Sequence, residues 1–112
     1  MDKDLETLLN MNRAVNLYDI YATLLPKRSK EVLNYYFNED WSIIEIADLL
    51  DISRQAVYDS LKSGINKLEK LEAQLSIYAQ GQDKQDKLKE LSSLIRNNRL
   101  EEARALIDEM LK

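Results

Sequence analysis

Apolar residues recur at intervals of three and four along almost the whole 112-residue chain, and the residues that would interrupt this pattern are nearly missing: one proline, Pro26, and two glycines, Gly64 and Gly81. At about 100° per residue such spacing keeps apolar side chains on one stripe of a helix. A sheet needs turn residues every few positions, and this chain has too few to supply them. An all-α fold is therefore expected, with a length that suits one core rather than two substantial ones.

The first stripe comprises Leu5, Leu8, Met11, Val15, Tyr18, Ala22 and Leu25. Pro26 ends it, because proline disfavours helical geometry in the residue before it and has no N–H to donate. Lys27-Arg28-Ser29 then reads as a basic connector, with Ser29 as the cap of a second helix whose inner face is Val32, Leu33, Tyr36 and Phe37. Ser42 followed by Glu45 has capping-box spacing, which starts a third helix at Ile43. Its face is Ile43, Ile46, Ala47 and Leu50, and Asp51-Ile52-Ser53 interrupts it before a fourth helix capped by Ser53. Val57, Leu61, Ile65, Leu68, Leu71, Leu75 and Tyr78 continue without a breaker until Gly81, so the fourth helix is expected to be long. Leu88, Leu91, Leu94 and Ile95 mark a fifth helix, and Asn97-Asn98 separates it from a sixth carrying Leu100, Ala103, Leu106, Ile107 and Met110. The polar segment from Gln80 to Lys87 suggests two parts, a helical body at 1–80 and a C-terminal helical hairpin at 81–112 packed on the body or on a partner.

The third and fourth helices carry the motif with a mechanism in it. Ala47 is small where two helices would meet, Asp51 follows four residues later in the turn, and Val57 lies ten residues after Ala47 as the anchor of the second helix. Glycine is common at the Asp51 position because the turn calls for positive φ, a region aspartate tolerates better than most residues. By spacing alone the unit is equally a plain helical hairpin in a bundle. The detailed sequence from Trp41 to Tyr58 resembles the fourth region of bacterial sigma factors, a helix-turn-helix bundle without a wing that reads promoter DNA.

A nearer resemblance rests on Tyr35-Tyr36-Phe37, Glu45-Ile46-Ala47-Asp48, Ser53-Arg54-Gln55-Ala56-Val57-Tyr58-Asp59 and the Leu-rich helix that follows. Over roughly Leu5 to Tyr78 this arrangement is similar to the YlxM-type helix-turn-helix family. That resemblance implies a small bacterial cytoplasmic protein whose gene commonly neighbours that of the signal recognition particle GTPase, with an accessory or regulatory role in that pathway. Its implied partners are DNA or the signal recognition particle RNA, and the GTPase itself.

If the unit binds nucleic acid, the fourth helix lies in the major groove. Gln55, Asp59, Lys62 and Asn66 then face away from Val57, Leu61 and Leu68, while Arg54 and Tyr58 flank them. Glutamine can pair with adenine and arginine with guanine, and Lys27, Arg28, Lys30 and Lys67 have the charge to hold phosphates. Asp59 on the same face counts against DNA, as does the formal net charge of −4. The alternatives are a solvated helix face at these positions and a protein-interaction module that binds the GTPase without reading DNA.

The stripe after Leu61 reads as core more readily than as a coiled-coil seam, although a homodimer is compatible with it. Gly64 lies on that stripe, where a missing side chain lets another helix approach or allows a kink.

Several chemistries are excluded by inventory. The chain has no cysteine and no histidine, which removes disulfides, thiolate nucleophiles, imidazole bases and the usual zinc ligand sets. With glycine only at 64 and 81, neither nucleotide-binding fingerprint can be written. Glu39-Asp40 and Glu101-Glu102 read as solvated charges, since neighbours on a helix diverge by about 100°. No catalytic, cofactor or metal site is expected, and the reading is a cytoplasmic non-enzyme without a signal or membrane-spanning segment.

Overall fold

In the computed structural model the backbone is described for residues 2–112 and side chains from Met11 onward. Leu5 and Leu8 of the first stripe therefore lie outside the described side chains. Among the described residues six α-helices follow one another: α1 (Asp2–Tyr21), α2 (Lys27–Phe37), α3 (Ile43–Leu50), α4 (Arg54–Leu75), α5 (Ile77–Arg96) and α6 (Leu100–Met110), with one 3₁₀ turn at Ala22–Leu24. The fold is all-α, as the periodicity requires. The chain divides into two compact units, Met1–Ser76 and Ile77–Lys112.

In the first unit, α4 packs against α1, α2 and α3. The core is Leu17, Tyr21, Val32, Leu33, Ile46, Val57 and Leu68, all but sealed from solvent. Among the described side chains of α1 the buried ones are Ala14, Leu17, Tyr18 and Tyr21, whereas Met11 and Val15 are only partly covered. At 100° per residue the buried face is turned by about 70° from the predicted stripe. Tyr21 draws it round: its hydroxyl donates to Glu72 Oε1 on α4 at 2.6 Å, so both groups are buried together. A polarity pattern cannot foresee an aromatic side chain that is sealed because its hydroxyl finds a carboxylate.

The entry to α2 also differs from expectation. The basic segment Lys27-Arg28-Ser29 is not a connector but the first turn of α2, and Pro26 is its N-cap, with φ −57° and ψ 149°. Proline's fixed φ suits the last non-helical position, and its carbonyl accepts from Lys30 N–H at 2.9 Å. Ser29 is consequently inside the helix and buried rather than capping it.

α3 starts as its sequence dictates. Ser42 Oγ accepts from Glu45 N–H and Glu45 Oε1 accepts from Ser42 N–H, each at 3.2 Å, which completes the capping box. α4 ends at Leu75, not at Gly81. Ser76 adopts the left-handed conformation (φ 54°, ψ 28°), and its N–H donates to the Glu72 carbonyl at 2.8 Å. Gly81 lies in the interior of α5 with open space where a Cβ would stand. Nothing at Gly81 requires glycine's freedom, so the residue that looked like a breaker is simply carried by the helix.

In the second unit, α5 and α6 form a hairpin. Asn98 takes φ 57°, and Arg99 N–H reaches back to the Leu94 carbonyl at 2.8 Å. Among the described residues of this unit, only Ala103 and Leu106 are buried.

Candidate nucleic-acid interface

The position of α4 relative to α3 is set by three residues. Ala47 is buried in the crossing, where its methyl group allows the two helices to meet. Asp51 occupies the left-handed region (φ 55°, ψ 48°), and its N–H and that of Ile52 both turn back to the Ala47 carbonyl. Val57, fully buried, anchors α4 from the far side of the turn. Ser53 Oγ then accepts from Ala56 N–H at 2.9 Å and fixes the start of the helix. A short polar residue at 51 thus does what glycine often does, and the chain leaves the turn with Arg54 as the first helical residue.

The sequence-derived readers all lie on the outside of this helix. Arg54, Gln55, Lys62, Asn66 and Lys67 are exposed, and Tyr58 is half-exposed. Gln55 is held in place, its Nε2 donating to Asp59 Oδ1 at 2.9 Å one turn along. Asp59, the residue that counted against DNA, is therefore engaged by a neighbour on the same face.

Further along α4, Asp59, Lys62, Ser63, Asn66, Lys67 and Lys70 line an open groove. Lys70 and Ser63 were not among the predicted residues. Their signal was present in the spacing, since 59, 63, 66 and 70 follow the steps of four and three that define one helical face. Tyr58, Lys62 and Asn66 also border a second, more apolar depression completed by Tyr36, Ile43, Leu61 and Ile65.

The cations predicted on α2 are placed differently. Lys27 and Lys30 border a separate depression with Tyr18, Glu31 and Asn34. Arg28 pairs with Glu31 at 3.6 Å along its own helix. None of these three cations lines the α4 groove.

Two details fix the rear wall of the unit. The Tyr18 hydroxyl donates to the Lys30 carbonyl at 3.3 Å. Burial, with a smaller contribution from the neighbouring Asp19 carboxylate, pushes the Tyr18 phenol above its ordinary pKa, because both disfavour a phenolate there. Trp41 lies against Tyr35 at a ring separation of 5.2 Å and ties the α2–α3 connection to α2.

A capped three-residue turn between two short-range partners, a small residue at the crossing and a polar outer face on the second helix together define a helix-turn-helix protein of the all-helical kind. No group of cysteine, histidine or acidic residues suited to a metal ion occurs among the described residues, and no described helix is long and apolar enough to cross a membrane. The chain belongs to the family described as "Putative helix-turn-helix protein, YlxM / p13 like", whose model matches residues 8–109. It is 36% identical over 107 residues to a UPF0122 protein of Bacillus pumilus (strain SAFR-032), covering 95% of this chain and 97% of that one. A UPF0122 protein of Thermoanaerobacter sp. (strain X514) is 42% identical over 83 residues, 71% of each chain. A third, from Bacillus velezensis (strain DSM 23117 / BGSC 10A6 / LMG 26770 / FZB42), is 37% identical over 99 residues, 86% of this chain and 88% of its own.

Proposed function

We propose that the protein is a non-enzymatic regulatory factor that binds nucleic acid through the N-terminal half of α4, and that it serves the signal recognition particle pathway through that particle's RNA or through DNA. The observation that carries this reading is the exposed row Arg54, Gln55, Tyr58, Lys62 and Asn66 on a helix whose start is fixed by Asp51 and Ser53. Only a helix held at both turn and crossing can present side chains to a groove in one register.

The chemistry of the row fits. With one amide N–H on Asp59, Gln55 keeps its carbonyl oxygen and a second N–H for a base edge such as adenine. Arg54 can reach guanine or phosphate, and Lys62, Lys67 and Lys70 line the groove where a backbone would run. The pathway is supported by the family resemblance rather than by any contact in the fold.

A second reading has its own support. The depression formed by Tyr36, Ile43, Tyr58, Leu61 and Ile65 is largely apolar, and the chain carries a formal net charge of −4. Both suit a protein partner, for which the signal recognition particle GTPase is the candidate.

A titration of the protein at two salt concentrations against duplex DNA, signal recognition particle RNA and the GTPase separates the two readings. Nucleic-acid binding that weakens with salt, and that Arg54→Ala with Lys62→Ala abolishes without loss of helicity, is the expected result. Binding to the GTPase alone would overturn the nucleic-acid reading in favour of the second.

A further inference from the structure

Of its described apolar residues the C-terminal hairpin buries only Ala103 and Leu106. Leu88 and Ile95 on α5, Leu100 and Ile107 on α6, and Leu111 at the C-cap of α6 are exposed, Leu100 by 62% and Leu111 by 79%. A helical hairpin of this size has too little interior to stand on its own core.

These five side chains form one face. At 100° per residue Leu88 and Ile95 lie within about 20° of one line on α5, turned by about 80° from the line of Leu91 and Leu94 that meets α6. Leu100, Ile107 and the C-cap residue Leu111, whose backbone is still helical, lie within about 40° of one line, turned in the same sense by about 90° from Ala103, Leu106 and Met110. Because α5 and α6 run antiparallel, equal turns in the same helical sense bring both lines to the same side of the hairpin. The result is a contiguous apolar face two helices wide, rather than scattered exposed residues.

The rims of that face carry opposite charge. Beside the apolar line of α5, on its outer edge, stand Lys89 and Arg96; beside that of α6 stand Glu101 and Asp108, with Arg104 between them. All five are exposed. The unit as a whole is balanced, with seven Lys and Arg (84, 87, 89, 96, 99, 104, 112) against seven Asp and Glu (83, 86, 90, 101, 102, 108, 109). A second copy therefore meets no net repulsion there.

We infer that this face is the seat of a second copy of the chain, two hairpins closing face to face into a four-helix bundle about a two-fold axis parallel to the helices. That axis sets each α5 over the α6 of the other copy and preserves height along the bundle. Arg96 and Glu101 flank the turn, and Lys89 and Asp108 each stand seven residues farther from it, a rise of about 10 Å. Arg96 thus meets Glu101 of the second copy, and Lys89 meets its Asp108. The other two-fold that brings the faces together, across the helices, sets α5 on α5 and opposes like charges. The contact is isologous and closed, so it makes dimers and not filaments. The inference is independent of what α4 binds.

The experiment is sedimentation equilibrium on the full chain and three variants, with circular dichroism as the folding check. The wild type is expected at twice the chain mass at micromolar concentration, and Ile107→Glu at the chain mass with helicity retained. Arg96→Glu and Glu101→Arg should each weaken the dimer by about tenfold, since each turns two symmetry-related attractions into repulsions. An equimolar mixture of these two variants should restore the dimer, because in the mixed pair every 96–101 contact is again between opposite charges. This arm needs no substitution in the apolar face and stands even if Ile107→Glu fails to fold. A wild type that stays monomeric at 100 micromolar, about the upper end of routine interface affinities, would overturn the inference. So would a dimer indifferent to Ile107→Glu, or single charge variants whose mixture gains nothing.

Discussion

At Gly64 the backbone of α4 lies close against α2, and substituting this residue should reverse the usual effect of replacing a helical glycine. A Cβ built there would stand 2.7 Å from Leu33 Cδ1, 3.2 Å from Leu33 Cγ and 3.5 Å from Ser29 Cβ. In an open helix Gly→Ala stabilises by about 1 kcal/mol. Here Leu33 is fully buried, so its side chain must shift within a packed core, and overpacking of this kind costs about 1–3 kcal/mol. The net expectation for Gly64→Ala is a loss of about 1 kcal/mol, read as a lower urea midpoint at unchanged slope. Leu33→Ala alone should cost about 2–5 kcal/mol by leaving a cavity. In that background the clashing atoms are gone and the contact with Ser29 is ordinary, so Gly64→Ala should then stabilise by about 1 kcal/mol. The two changes are thus coupled by about 2 kcal/mol and of opposite sign in the two backgrounds. A Gly64→Ala variant more stable than the wild type, or a cycle that closes additively, would show that the missing side chain does not set the distance between α2 and α4.

Ser42→Ala removes one arm of the capping box and should cost about 1 kcal/mol in chemical unfolding, with no change in the spectrum of the folded protein. Tyr21→Phe withdraws a donor from the buried Glu72 carboxyl and should cost about 1.5–3 kcal/mol, seen in the same assay. Tyr18 ionises above its ordinary value near 10 in the folded chain, so the folded state holds that proton more tightly than the unfolded one. Its contribution to stability is intact below pH 10 and is lost as pH rises through the folded pKa; unfolding midpoints should fall over that window, less steeply in Tyr18→Phe.

What was legible beforehand was whatever depends on neighbours in the chain. The capping box at Ser42 and Glu45, the turn at Asp51 and the start of α4 after Ser53 are local hydrogen-bond patterns, and each formed where its residues stand. The outward direction of Arg54, Gln55, Lys62 and Asn66 follows from helical geometry once Val57 is known to point inward. The close approach at Gly64 was readable as a position, though its partners Leu33 and Ser29 were not.

The sequence by itself determined the helical class, the turn between α3 and α4, and which side of α4 is exposed, because spacing and capping act within a few residues. Only the tertiary structure decided which face of α1 is buried, since that depends on Tyr21 finding Glu72 fifty-one residues away. Tertiary structure also placed Lys27 and Lys30 beside Tyr18 in a depression of their own, apart from the α4 groove. Those outcomes turn on contacts between distant residues and on the space left between packed helices, quantities that a one-dimensional pattern of polar and apolar residues does not contain.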